Sequence, residues 1–397
     1  MTVTLAHQKN YKGNIYKFYV FSFIMGIHTV RGVYIPYMMD WGGLTFFQIM
    51  ILQSYFMAMI FILEIPSGAI ADRLGRNLAI SLSSLSVIAA AFTYSIIPNI
   101  YLFFLAETFW AFSSALFSGT NEAFLFNTLK TLKREESLPN ILGRNQTINL
   151  VALTISAPFG SIIAQFISLQ FTMICLGFIY AFAFIISLTF KEPRIENESE
   201  TQKYLTILKD GFHELKTNKI LRILTFDRLF IGVLTFFLFW TYQVYLGAVG
   251  IPLLWFGFVT ATMNIINMVF SILIPLIMNH LKKKLIFLIF INILIGIAYI
   301  LLGFATNAIL GIFLLLVIVA IGYPRYLIFV RGINRQIETE NRATVLSTIN
   351  MFGSFLMAIS YPLIGLIVEW NPFFVFIIIG ILILVFTTIT RVKNENL

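Results

Sequence analysis

The sequence predicts an all-α membrane protein of twelve transmembrane helices in two pseudo-symmetric six-helix halves, and three observations carry that prediction. First, 59% of the 397 residues are apolar and only 11% charged, where a water-soluble domain has about a quarter of its residues charged. Such a chain cannot cover itself with polar groups in water, but it suits a bilayer, where only helices and closed barrels satisfy the backbone. Second, the apolar residues form long unbroken runs, as membrane helices of roughly 20 residues require, rather than the alternation of a barrel. Third, one long charged break, KEPRIENESETQKYLTILKDGFHELKTNK, leaves six runs on each side.

The spans follow in order from the apolar runs and the Gly, Pro, Asn and basic punctuation between them. Spans 1 and 2 (15–38 and 45–70) are separated by MMDWGGL, and span 3 (78–97) begins after ADRLGRN. IPN precedes span 4 (100–127), a basic stretch from Lys130 to Arg144 leads into span 5 (141–165), and ISLQ precedes span 6 (170–190). In the second half LGAVGIP separates spans 7 and 8 (220–247 and 253–279), and HLKKK introduces span 9 (283–304). ATN then precedes span 10 (307–330), the segment from Arg331 to Arg342 precedes span 11 (343–368), and EWNP precedes span 12 (372–391). The domains expected are a first bundle at 1–190, a charged and partly helical linker at 191–219, and a second bundle at 220–397.

Lysine and arginine fix the expected orientation. Of 27, 24 cluster at one set of span ends, around the start of span 1, the even-to-odd junctions, the linker and the end of span 12, and the opposite loops carry none. Short basic loops mark the cytoplasmic face, so both ends of the chain are expected inside a prokaryotic cell membrane. The net charge of +9 is therefore a topology signal, with lipid headgroups as the anionic partner and no nucleic acid. The opening MTVTLAHQKNYKGNIYK lacks a short apolar core with a small-residue cleavage site, so no removable signal peptide is expected. Cys175 is the one cysteine, which excludes a disulfide framework and a cysteine metal or redox pair. The sequons at Asn145 and Asn197 lie on the expected cytoplasmic side and should stay bare. No cofactor or metal is expected, and the protein should be a monomer.

The remaining arginines, Arg31, Arg228 and Arg325, fall inside spans, as do Glu64, Glu107, Glu122 and Asp227. An ionisable group in hydrocarbon is costly unless it faces a bundle interior or water. Spans 3, 6, 9 and 12 hold none away from their basic ends, which suggests three-helix units with every third helix towards lipid. Polar stripes at helical spacing support an inward polar face. Span 4 aligns Glu107 with Asn121; span 5 aligns Asn145, Asn149 and Ser156. Span 8 aligns Asn264 and Asn267, and span 11 aligns Asn350, Ser354 and Tyr361. The stripes fit a wetted cavity, and singly they fit helix-contact residues equally well.

Between spans 2 and 3 stands PSGAIADRLGRN, with Gly68, Asp72, Arg73, Gly75 and Arg76. Gly75 suits a tight reversal, and Asp72 suits a helix N-terminus. The segment resembles the signature loop of the major facilitator superfamily, roughly G-x-L-A-D-R-x-G-R-[KR], with Asn77 in place of the last basic residue. The resemblance implies the major facilitator fold, a substrate site between its halves, and transport by alternating access. LEIPSGAIADRLGR, SGTNEAFLFNTL and NRATVLSTINMFGS further resemble a prokaryotic branch of drug or macrolide-type efflux permeases. Asn127 stands where that branch carries an acid, and its Gly-rich span 5 motif is reduced to SAPFGS.

Depth suggests which charges meet. Arg31 lies about 24 Å from the start of span 1 and Glu107 about 10 Å from the outer start of span 4, nearly level in a core of about 30 Å. The resemblance puts spans 1 and 4 on the cavity, so Arg31 and Glu107 are expected to pair, with Glu107 as a proton site; the alternative is a static brace. His28 shares Arg31's helical side and is a second proton candidate or a packed histidine. Asp227 and Arg325 are expected to pair near the cytoplasmic side, as a gate or as interface snorkels, with Arg228 beside them. Glu64, Glu122, Asp72 and Arg73 are expected to form a charge network at an inner gate. Phe109, Trp110, Phe236 and Trp240 are candidates to grip an apolar ligand.

The function expected is a secondary transporter exchanging protons for an amphipathic or apolar small molecule, in the efflux direction. The alternatives are proton-coupled uptake of a small, anionic solute, a lipid-handling variant, and a non-transporting membrane sensor. The chain has no phosphate loop G-x-x-x-x-G-K-[ST], no H-E-x-x-H and no clustered histidines, so neither ATP-driven transport nor an enzyme is expected.

Overall fold

The computed structural model describes residues 5–192, 204–337 and 342–397. The segments 193–203 and 338–341, including the Asn197 sequon and part of the expected linker, lie outside the described residues. Eleven helices among the described residues are long and apolar enough to cross a membrane, and the shorter apolar helix Phe374–Ile389 is a twelfth candidate. The chain is a multi-pass, all-helical membrane protein. Spans 1 to 6 are Tyr11–Trp41, Phe46–Glu64, Arg76–Ile96, Ile100–Thr131, Glu135–Phe166 and Leu169–Ser187. Spans 7 to 11 are Lys219–Ala248, Leu253–His280, Lys284–Phe304, Ala308–Arg335 and Thr344–Trp370.

Two compact units divide the chain. The first comprises Met1–Leu44, Leu52–Ser199 and Leu253–Ala261; the second comprises Thr45–Ile51, Glu200–Pro252 and Thr262–Leu397. The first turns of the span 2 and span 8 helices thus belong to the opposite unit from the rest of each helix.

Within the first unit, small side chains let the helices meet at backbone distance, the usual membrane substitute for a hydrophobic driving force. Ser83 of span 3 donates to the Ser113 carbonyl of span 4 at 3.0 Å, and Ser86 donates to the Phe109 carbonyl at 2.7 Å. Spans 1 and 5 cross closer still: a Cβ on Gly160 would stand 1.7 Å from the Thr29 carbonyl oxygen. Span 1 cannot remain a regular helix there. Its α-helix ends at Gly26, and short turns from Arg31 to Trp41 carry it onward, where the sequence suggested one continuous run over 15–38. The freed backbone finds partners across the crossing, since His28 N–H donates to Ser156 Oγ at 3.0 Å and polar groups unpaired in a membrane are expensive.

Three other sequence expectations change. The helix of span 2 continues through Pro66 to Leu74, so most of the signature segment is helix, and only Gly75, at φ +92°, makes the reversal. Asp72 consequently sits in the last turn of one helix and not at the start of the next. Span 10 is not continuous: its helix stops at Gly322 and resumes at Tyr326. Pro324 lies in that gap, lacking an N–H and obstructing the preceding turn. Span 7 also has a turn at Phe237 between the helices Lys219–Phe236 and Leu238–Ala248.

In the second unit spans 9 and 12 meet through glycine, with a Cβ on Gly380 falling 2.6 Å from the Gly296 carbonyl oxygen. The linker contributes an amphipathic helix, Tyr204–Thr217. It lies against span 11 so closely that a Cβ on Gly211 would reach Thr348 Oγ1 at 2.0 Å.

The Gly160 crossing yields a stability prediction. Gly160→Ala should destabilise the folded protein by about 1–3 kcal/mol through overpacking. Gly143→Ala, on the same helix with nothing within 4 Å of its Cβ position, should leave stability unchanged or raise it. Thermal unfolding of the two purified variants beside the parent chain makes the comparison.

Candidate functional site

Two buried ionic centres stand out, one in each unit. In the first, Glu107 of span 4 is 5% exposed and four spans build its surroundings. Tyr94 of span 3 donates its hydroxyl to Glu107 Oε1 at 2.5 Å. Gln53 Nε2 of span 2 donates to the same oxygen at 3.1 Å, and Tyr34 Oη of span 1 reaches it at 3.4 Å. The cage is tied together, because Gln53 Nε2 also approaches Tyr34 Oη at 3.3 Å and Tyr37 donates to the Tyr94 carbonyl at 2.8 Å.

This arrangement corrects the expected Arg31–Glu107 ion pair. The ion pairs among the described residues do not include it, and every group hydrogen-bonded to Glu107 is neutral. The break in span 1 is the reason: the turns after Arg31 bring Tyr34, not Arg31, to the carboxyl. His28 packs its ring against Trp110, with centroids 5.6 Å apart. Chemically the cage serves either protonation state, since the hydroxyls donate to a carboxylate and accept from a carboxylic acid.

In the second unit Arg325, at the break in span 10, forms an ion pair with Asp227 of span 7. Both are essentially buried, 1% and 2% exposed, so they are not interface snorkels. Arg325 Nε also donates to Asn292 Oδ1 of span 9 at 2.7 Å, and the Thr390 hydroxyl donates to the second Asp227 oxygen. The guanidinium carbon lies 4.8 Å from the centre of the Phe329 ring. Hydrogen bonds on both partners are what allow a buried pair to offset its desolvation. Arg228, the next residue on span 7, points elsewhere, its guanidinium 5.8 Å from the centre of the Tyr326 ring. With Tyr326, Phe236, Asn350 and Ser354 it lines a cavity of about 370 Å³.

The expected charge network at the signature segment takes a different form. Asp72, Arg73 and Glu122 are exposed, and the ion pairs among the described residues include none of them. Continuation of the span 2 helix puts Asp72 and Arg73 on its outer surface. The links that do form are Arg76 Nη1 donating to the Ala123 carbonyl at 2.9 Å and Asn77 N–H donating to Glu192 Oε2 at 2.7 Å. Glu192, just past span 6, thus supplies the acid at the span 3 helix N-terminus, where negative charge is favoured. Glu64 is half-buried on span 2, its carbonyl accepting from Ser67, and Gly68 is open, with no atom within 4 Å of its Cβ position.

The stripe amides divide. Asn350 lines the Arg228 cavity, whereas Asn149 donates to the Ser22 carbonyl at 3.4 Å and Asn121 accepts from its neighbour's N–H at 2.6 Å. Asn267 accepts from Ser271 at 3.5 Å, and Asn264 keeps a buried Nδ2 with no hydrogen-bond partner among the described residues.

Comparison with known proteins decides the family. The pattern described as Major Facilitator Superfamily matches residues 18–333. The chain belongs to the Major Facilitator Superfamily. No curated protein matches it. Among solved structures it is similar to the nucleoside transporter NupG, with a TM-score of 0.80 at 14% identity over 96% of this chain and 99% of that one. It is also similar to a D-xylose–proton symporter, with a TM-score of 0.70 at 12% identity over 96% and 98%. Identities this low establish the shared fold. This superfamily member is a transporter of small molecules and not an enzyme.

Sequence reading missed Tyr34, Gln53 and Tyr94 as the partners of Glu107, and Asn292, Thr390 and Glu192 elsewhere. A trace of two was present: Asn292 is the lone amide in FLIFINILIG, and Gln53 interrupts an apolar run. Neither signal says which charge the residue faces.

For this transporter, Asp227→Asn or Arg325→Met alone should cost about 3–5 kcal/mol, because each strands a buried polar partner. The double variant should cost less than the sum. A double-mutant cycle on unfolding in detergent measures the difference.

Proposed function

We propose that this superfamily member is a proton-coupled secondary transporter in which Glu107 carries the proton. The observation behind this is the cage itself: a buried carboxyl on a spanning helix, held by two tyrosines and an amide, with no cation in its hydrogen-bond shell. A carboxylate there has no cationic hydrogen-bond partner among the described residues, and a proton neutralises it. Membrane carboxyls of this sort mark proton relays. Taking and losing the proton as the site opens to each side couples the gradient to solute movement, with 1–190 and 220–397 as the alternating bodies and 191–219 as their connector. The basic loops support an orientation with both ends of the chain on the cytoplasmic side of a cell membrane.

Cotransport with protons is the direction we favour, and the structural likeness to a D-xylose–proton symporter supports it. Efflux by exchange is the second reading. It rests on the resemblance of SGTNEAFLFNTL and its companion segments to efflux permeases, weakened by Asn127 in the place of an acid.

Proteoliposomes loaded with a pH-sensitive dye and challenged with nucleosides, sugars and organic acids test the coupling. At least one solute class should drive protons inward with it, and Glu107→Gln should abolish the proton signal. Tyr94→Phe should weaken it. Proton movement by Glu107→Gln equal to that of the parent chain would refute the assignment, and outward proton movement with inward solute would select the exchanger.

A further inference from the structure

The three arginines inside the spans do not share one environment. Arg325 is neutralised by Asp227 and satisfied further by Asn292. Arg228 sits one residue from Asp227, but that carboxylate accepts from Arg325 and Thr390 and borders a different cavity. Arg228 belongs to no ion pair among the described residues, and the residues lining its cavity include no acid. The Tyr326 ring, 5.8 Å away, offsets part of the charge through its quadrupole and leaves the guanidinium donors available.

A half-buried guanidinium on a membrane-spanning helix, unmatched by a carboxylate, is an expensive feature for packing alone. Such residues face a cavity and mark the path of a ligand. The surroundings here describe that ligand. Asn350 and Ser354 of span 11 add neutral hydrogen-bonding groups, while Val233, Phe236 and Met357 supply an apolar wall in the same cavity of about 370 Å³. A single fixed positive charge balances a single negative one, and a planar guanidinium fork matches a planar carboxylate.

We propose that this cavity binds the carboxylate of an amphipathic organic monoanion, with Arg228 as its counter-charge, Asn350 and Ser354 as neutral partners, and the Phe236 side receiving the apolar body. The proposal rests on the reading of the chain as a transporter and gives its substrate class. A carboxylate moving with the proton of Glu107 crosses without net charge, so the membrane potential does not oppose it.

Equilibrium binding tests the proposal without requiring flux. The purified full chain is subjected to thermal unfolding with a panel of aliphatic and aromatic monocarboxylates, each paired with its neutral amide, benzoate with benzamide among them. At least one carboxylate should protect the parent chain while its amide does not. Arg228→Gln should weaken that protection roughly tenfold or more in half-saturating concentration, the scale of one charge-assisted contact. Arg228→Lys, which keeps the charge but not the fork, should fall between. Asn350→Ala should weaken protection by a smaller factor, and the unliganded melting temperature of each variant reports whether it folds. If no carboxylate outperforms its amide, or if a folded Arg228→Gln binds like the parent, the assignment is overturned. Proton coupling through Glu107 would survive that result, just as carboxylate binding would survive an inactive proton assay.

Discussion

Burying charge in a medium that cannot solvate it is the constraint on which the rest of this structure depends. Glu107 and Asp227 are almost fully buried within the protein, so each must find its partners within the chain. The two units meet this requirement differently. In the second, opposite charges neutralise each other, and Asn292 and Thr390 complete the shell around Arg325 and Asp227. In the first, Glu107 has hydrogen-bond donors but no cation among them. One centre is suited to holding helices together, the other to changing its protonation state.

Both centres depend on interrupted helices. Arg325 reaches Asp227 from the gap in span 10 that contains Pro324, and Tyr34 reaches Glu107 from the irregular stretch following Gly26. A regular helix fixes side-chain directions at 100° intervals, and a break releases that restriction where a particular side chain must be aimed. Irregular backbone is tolerated at membrane depth only where protein or a cavity surrounds it, and the Gly160–Thr29 crossing provides such cover for span 1. The same crossing that forces the break therefore also shelters it.

Much of the fold was legible because it follows from bulk properties. Hydropathy marks the apolar runs that become eleven long helices and a shorter twelfth among the described residues. The site was less legible. Reckoning depth along straight helices placed Arg31 level with Glu107, whereas Glu107 is met by Tyr34 from the irregular stretch of span 1. Asp227 and Arg325 do pair, with the break in span 10 falling at the arginine itself. Asp72 illustrates the same limit: a signature segment expected as a loop became the end of a helix, and Glu192, more than a hundred residues away, took the capping position.

Composition and periodicity by themselves determined that this chain is helical, spans the membrane many times and retains a small set of ionic residues within it. Those conclusions rest on transfer free energies, which sum along a sequence without reference to neighbours. Tertiary structure alone decided which ionic residue is neutralised, which is caged by neutral donors, and which, in Arg228, faces a cavity beside the Tyr326 ring. Electrostatic compensation depends on distances of a few ångströms between helices remote in sequence, and helix crossings and breaks set those distances.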